Sequence, residues 1–235
     1  MNFNQLIKSD IAHRGFHSEQ IPENSLKSFE RAIQLNYPIE LDLHIIKDGT
    51  IIVFHDDNLI RMCSISKKVK ELTTEELSSC YLKGTKETIP TFAQVLNLIN
   101  GQVPIVIELK YDVLRHKLDK GVANLLKNYK GDYIIKSFLP SSVLWWKRHY
   151  PQTKRGLLIA VSNQSKNQLF LIEHLYWLLK PDFISYEKGH YNRKFLQKMR
   201  KKQLPILFWT IQNKEEYMEA KKYDAGYLIE KMEKW

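Results

Sequence analysis

Two hydrophobic patterns alternate along this chain from residue 10 onward: short aliphatic runs rich in β-branched residues, and longer stretches in which apolar positions return every three or four residues. The short runs predict strands at 10–13, 39–43, 104–109, 133–137, 155–159, 182–185, 205–210 and 225–229. The longer stretches predict helices at 25–34, 91–99, 114–127, 141–149, 166–179, 192–202 and 214–221. Thr91 follows Pro90 and Ser141 follows Pro140, so each sets a capping hydroxyl near the first turn of its helix. Such alternation marks parallel strands joined by crossover helices, and eight strands in this arrangement predict an α/β fold, a (β/α)8 TIM barrel. After the eighth strand, residues 230–235 are too few for a full closing helix.

One segment breaks the alternation. A further strand-like run at 51–55 follows the turn Lys47-Asp48-Gly49, which predicts a hairpin or an extension of the second strand. A polar stretch at 56–88 comes next, with a short helix expected at 74–79. Residues 47–88 are therefore expected to form an insertion after the second barrel strand, lying over the active face of a single domain that spans 1–235.

The formal net charge of +10 favours anionic partners, whether phosphate esters, nucleic acid or an acidic membrane surface. The basic clusters Lys67-Lys68-Lys70 and Lys198-Arg200-Lys201-Lys202 read more simply as solvated faces. A nucleic-acid binder needs aromatic stacking positions among its basic residues, and Tyr191 and Phe195 beside Arg193 and Lys194 come closest; no nucleic-acid partner is expected. Cys63 and Cys80 sit in neither a C-x-x-C pair nor a zinc-finger spacing. The first ten residues lack a secretory hydrophobic stretch, and no run reaches the roughly 18 to 20 apolar residues of a membrane span. A cytoplasmic protein without stable membrane insertion is the expectation.

The chemistry concentrates at the carboxyl ends of the strands, where barrels carry their reacting groups. The first strand runs into His13-Arg14-Gly15, the second carries Glu40-Leu41-Asp42, the extra strand ends in His55-Asp56, and the third barrel strand ends in Glu108-Leu109-Lys110. Residues two apart on a strand share a face, so Glu40 projects with Asp42 and Glu108 with Lys110. Three carboxylates converging on one buried mouth repel unless a cation neutralises them, and all-oxygen ligands suit one divalent ion, Mg2+ or Ca2+, better than zinc. The alternative is that these acids form structural salt bridges with Lys or Arg. His13 and His55 flank the cluster and can give and take protons near neutral pH. His44 shares the parity of Glu40 and Asp42 but lies further along, and the other histidines lack comparable company. Arg14 and Lys110 suit an anionic ester, Gly15 lets the backbone turn closely behind the site, and Trp209 at the end of the seventh strand offers an apolar wall for substrate or plain packing.

Taken together, His13-Arg14-Gly15, Pro22-Glu23-Asn24-Ser25, Glu40-Leu41-Asp42, Lys47-Asp48-Gly49, His55-Asp56-Asp57, Leu72-Thr73 with Glu76-Leu77, Ile89-Pro90-Thr91-Phe92, Glu108-Leu109-Lys110, Ser137-Phe138 and Trp209-Thr210 run in order over nearly the whole chain. In this the chain resembles the glycerophosphodiester phosphodiesterase family, which shares a barrel with the phosphatidylinositol-specific phospholipases C. The resemblance implies hydrolysis of a small glycerophosphodiester to glycerol 3-phosphate and an alcohol, by direct water attack or through a cyclic phosphate. It implies a metal on Glu40, Asp42 and Glu108, acid-base work by His13 and His55, phosphate contacts from Arg14 and Lys110, and an ordering role for Glu23 and Asn24. A lysophospholipase D acting on lipid substrates would use the same residues with an apolar access loop. The chain departs from the family pattern at 62–66, and at 227–230, where Glu230 stands in place of the usual Thr-Asp ending. Neither departure is expected to touch the metal or proton-transfer residues.

Overall fold

Eight parallel strands close on themselves in this computed structural model, which describes residues 2–110, 116–162 and 164–230. The barrel strands are β1 (Asp10–Ala12), β2 (Ile39–Ile45), β4 (Ile105–Leu109), β5 (Tyr133–Ser137), β6 (Arg155–Ile159), β7 (Phe183–Glu187), β8 (Ile206–Ile211) and β9 (Gly226–Ile229), and closure comes from β1 pairing with both β9 and β2. The β1–β2 pairing reaches only Ala12 opposite Ile39. That leaves the rest of this edge of β2 open, and β3 (Ile51–Val53) takes it antiparallel, Leu43 opposite Val53 and Ile45 opposite Ile51, as the hairpin expected after the Lys47-Asp48-Gly49 turn.

Every predicted strand and helix is present, with ends shifted by a few residues where local signals are weakest. Ser25 caps α1 (Leu26–Gln34), accepting from Ser28 N at 3.1 Å, and Thr91 caps α2 (Phe92–Ile99) in a reciprocal pair with Gln94. The helix at Pro140–His149 differs from its prediction: Pro140 occupies the first helical turn, and the residue before it, Leu139, offers no side-chain cap, so Ser141 does not play the predicted role. The start of the helix predicted at 114–127 lies outside the described residues, and the described helix runs Lys117–Leu126. Of the tail, only Glu230 is among the described residues.

Two apolar layers lie between strands and outer helices. Each fully buried Leu, Ile or Phe there contributes roughly 1.5–3 kcal/mol. Inside the barrel, Ile11, Val106, Ile134, Phe183, Leu207 and Leu228, from six strands, meet Leu6 and Ile7, which plug the amino-terminal end. Gly156 gives Phe183 room there, since a Cβ on it would stand 2.3 Å from the ring. Two residues further along the chain stand Glu108, Lys136, Ser185 and Trp209 on their strands, and His13 and Glu230 just past the ends of β1 and β9. Period-two alternation thus stacks a polar layer directly on an apolar one, at the carboxyl end of the barrel.

The segment after β3 builds its own small core from Leu59, Met62, Val69, Leu72, Leu77, Leu82 and Ile89, packed against Ile46, Ile52 and Phe54. The helix expected at 74–79 is present there as a 3-10 helix, Thr74–Ser79.

Candidate active site

The loop after β1 sets the first wall of the site. Arg14 adopts a left-handed conformation (φ 56°), which turns its backbone N–H onto Glu40 Oε2 at 3.1 Å. Gly15 follows at φ 81°, and any Cβ there would lie 2.4 Å from Ser28 Oγ, so the loop packs against α1 only because the residue is glycine. Asn24, also left-handed (φ 54°), donates to Asp42 Oδ2 at 2.9 Å.

Glu40, Asp42 and Glu108 converge as their parity requires: they are buried, and each offers an oxygen within 4.8 Å of the others. Their cations are more numerous than the sequence suggested. Lys110 Nζ lies 2.8 Å from Asp42 Oδ1 and 2.5 Å from Glu108 Oε1, and Arg14 Nε lies 3.4 Å from Asp42 Oδ2. Lys136, the register partner of Glu108 on β5, lies 2.8 Å from Glu40 Oε1 and 2.9 Å from Glu108 Oε2. Burial would push the Glu108 carboxyl up, but Lys110 and Lys136 hold it down at about 2. Burial acts the same way on Asp42, and Lys110, Arg14 and both His55 and His13 outweigh it, keeping it well below its ordinary value. Three carboxylates therefore face three permanent cations, and the repulsion expected of an acid cluster is already balanced by side chains. Both sequence readings, salt bridges and metal ligands, describe the same residues. A hard divalent ion fits them, because the donors are all oxygens and they converge within 4.8 Å of one another. Among the described residues this is the one such cluster.

Each histidine is backed by a carboxylate. His13 Nδ1 lies 2.5 Å from Glu230 Oε1, and its Nε2 faces Glu40 Oε2 at 3.8 Å. Glu230 is held in turn by Gln212 Nε2 at 2.9 Å and keeps a depressed carboxyl value: burial opposes this and His13 causes it. His17 Nε2 is 3.9 Å from the same carboxylate. The expectation that the 227–230 departure leaves the proton-transfer residues untouched is therefore corrected, because barrel closure brings Glu230 beside His13. His55 Nδ1 lies 2.7 Å from Asp56 Oδ1. Asp56 accepts from Arg61 Nε at 2.6 Å, and Arg61 bridges on to Glu23, which also binds Arg14 at 2.7 Å. His44 hydrogen-bonds the His55 carbonyl at 3.2 Å and so supports the loop that carries His55. Sequence reasoning missed Lys136, Glu230 and Arg61 as members of this network. Lys136 left a trace as a lone charge in the apolar run Ile134-Ile135-Lys136, and Glu230 as a departure from the family pattern.

His55, Glu108 and Lys110 line a cleft of about 410 Å³ together with Asp56, Phe138 and Leu139. Trp209 stands behind it, edge-on to Phe138 with ring centroids 5.8 Å apart. Tyr191 and Phe195 are buried in an outer apolar layer and offer no face for base stacking.

The model of the Glycerophosphoryl diester phosphodiesterase family matches residues 13–229. A glycerophosphodiester phosphodiesterase of Caldanaerobacter subterraneus is 31% identical over 221 residues, covering 88% of this chain and 86% of that protein. A lysophospholipase D of Rattus norvegicus is 30% identical over 143 residues, 55% of this chain and 44% of that protein. Among solved structures, a phosphodiesterase of Oleispira antarctica in complex with the product sn-glycerol-3-phosphate superposes with a TM-score of 0.82 at 20% identity, over 96% of this chain and 94% of that one, which shows the shared barrel. With the family match running through His13, all three carboxylates and the strands that carry them, this chain belongs to the glycerophosphoryl diester phosphodiesterase family.

Proposed function

We propose that this chain hydrolyses glycerophosphodiesters to glycerol 3-phosphate and an alcohol, with His13 and His55 moving the protons and a divalent ion, Mg2+ or Ca2+, held by Glu40, Asp42 and Glu108. The observation that carries the reading is the convergence of three buried carboxylates beside His13, with His55 on the cleft that Glu108 and Lys110 line. When bound, such an ion polarises a phosphoryl oxygen as a Lewis acid. The remaining chemistry belongs to side chains. Glu230 at Nδ1 of His13 and Asp56 at Nδ1 of His55 set the tautomers so that each Nε2 is the working nitrogen. One imidazole takes the proton of the nucleophile as its oxygen bonds to phosphorus, whether that is water attacking directly or the neighbouring glycerol hydroxyl, whose cyclic phosphate a water then opens in a second displacement. The other protonates the alcohol oxygen as its bond to phosphorus breaks. Arg14 and Lys110 stabilise charge gathering on the phosphoryl oxygens, and Phe138, backed by Trp209, forms an apolar side of the cleft.

Glu230 is a positioning residue in this reading. Glu230→Gln keeps the shape but no longer selects the His13 tautomer, and turnover is expected to fall by about 10²-fold with KM little changed. Steady-state kinetics on glycerophosphocholine check this, and a kcat equal to wild type would refute the role.

Soluble headgroup diesters are favoured over lysolipids because the large apolar side chains of the insertion are mostly spent on its own core, leaving Ile60 and Tyr81 as its exposed large apolar residues. Among the described residues no helix is long and apolar enough to cross a membrane. Side-by-side rates on glycerophosphodiesters and lysophospholipids, with and without divalent ions, test activity and preference together. Glycerophosphodiesters are expected to be cleaved at least about tenfold faster, on the scale of a few lost apolar contacts; faster lysolipid turnover would overturn the preference.

A further inference from the structure

Lys136 has no part in the chemistry above, yet it is the most completely buried cation of the site. It is 2% exposed, and it is absent from the lining of the cleft that Lys110 faces. Its ammonium touches one oxygen each of Glu40 and Glu108, two of the three residues that would hold the ion. The two lysines thus divide the carboxylates between them. Lys110 joins Asp42 to Glu108 at the cleft, and Lys136 joins Glu108 to Glu40 beneath it.

We infer that Lys136 is an internal counter-ion that a divalent cation must push aside or share ligands with, so that it sets the metal affinity of the site and holds the metal-free barrel together. This rests on the reading of Glu40, Asp42 and Glu108 as metal ligands. The physical basis is charge. An ion coordinated by Glu40 and Glu108 sits within a few ångströms of the Lys136 ammonium in a buried layer, where like charges are poorly screened. Without any ion, removal of Lys136 leaves two buried carboxylates with one fewer partner, which is strongly destabilising. The same group therefore weakens metal binding and strengthens the metal-free fold.

The test compares wild type with Lys136→Met and Lys136→Gln, all stripped with EDTA and dialysed. Ca2+ and Mg2+ binding is followed by calorimetry, and Tm is measured with and without each ion. The variants are expected to bind about 10- to 100-fold more tightly, the scale of changes to groups that contact metal ligands. Their metal-free Tm should fall, and their gain in Tm on adding the ion should exceed that of wild type. Equal or weaker binding by folded variants, with wild type binding normally, overturns the inference and leaves the metal reading standing. No binding by wild type or variants refutes the metal reading itself and the inference with it. Binding by the variants alone upholds the inference and denies the wild-type chain a metal. Should neither variant fold, the ¹⁵Nζ resonance of Lys136 in labelled wild type decides: a shift as Ca2+ saturates supports the inference, and an unmoved signal overturns it.

Discussion

His13→Ala and His55→Ala are each expected to lower turnover by about 10²- to 10⁴-fold, the usual contribution of a positioned acid or base. The effect should fall on kcat with substrate binding largely retained, because neither imidazole is placed among the charges proposed to hold the phosphate. The two sites share a design: a carboxylate at Nδ1, Glu230 for one and Asp56 for the other, and an Nε2 left for chemistry. His13 is 6% exposed, so its removal also opens a gap beside Glu230, and His13→Gln is the companion that fills it. Steady-state rates on glycerophosphocholine, with folding checked by thermal melts, decide the matter. A rate near wild type in either alanine variant would sink the assignment of that histidine.

Removing divalent ions is expected to cost at least about 10²-fold in activity, since Lewis-acid assistance to phosphoryl transfer supplies several kcal/mol. Mg2+ or Ca2+ should restore it. Asp42→Asn should lose activity to a similar degree and not recover on adding ions, because an amide removes one of the three charges while keeping the shape. It also leaves Lys110 with one carboxylate in place of two. Full activity after exhaustive chelation would mean that Lys110, Lys136 and Arg14 stabilise the transition state unaided. Measuring rate against free ion concentration in wild type and Asp42→Asn separates these outcomes.

Much of this site is legible without coordinates because its geometry is local. Glu40 and Asp42 share a face by strand parity alone, as do Glu108 and Lys110, and the structure keeps both pairs together. His13 and His55 are readable for a similar reason, since each stands just past a short strand-like run, 10–12 and 51–53. The network around them is less legible. Arg61 reaches Glu23 across 38 positions, and Glu230 reaches His13 across 217. No periodicity links residues that far apart; register and closure do.

The alternation of short aliphatic runs with amphipathic stretches determined the barrel, its eight strands and the end at which ionisable residues gather, because backbone periodicity fixes which side chains share a face. Which charges stand opposite one another was decided only in three dimensions. Parallel register put Lys136 beside Glu108, and the meeting of first and last strands put Glu230 against His13. The physical reason is range: side-chain direction repeats every two residues along one strand, whereas Coulomb pairing in a buried layer depends on neighbours that only the closed sheet brings within 3 Å.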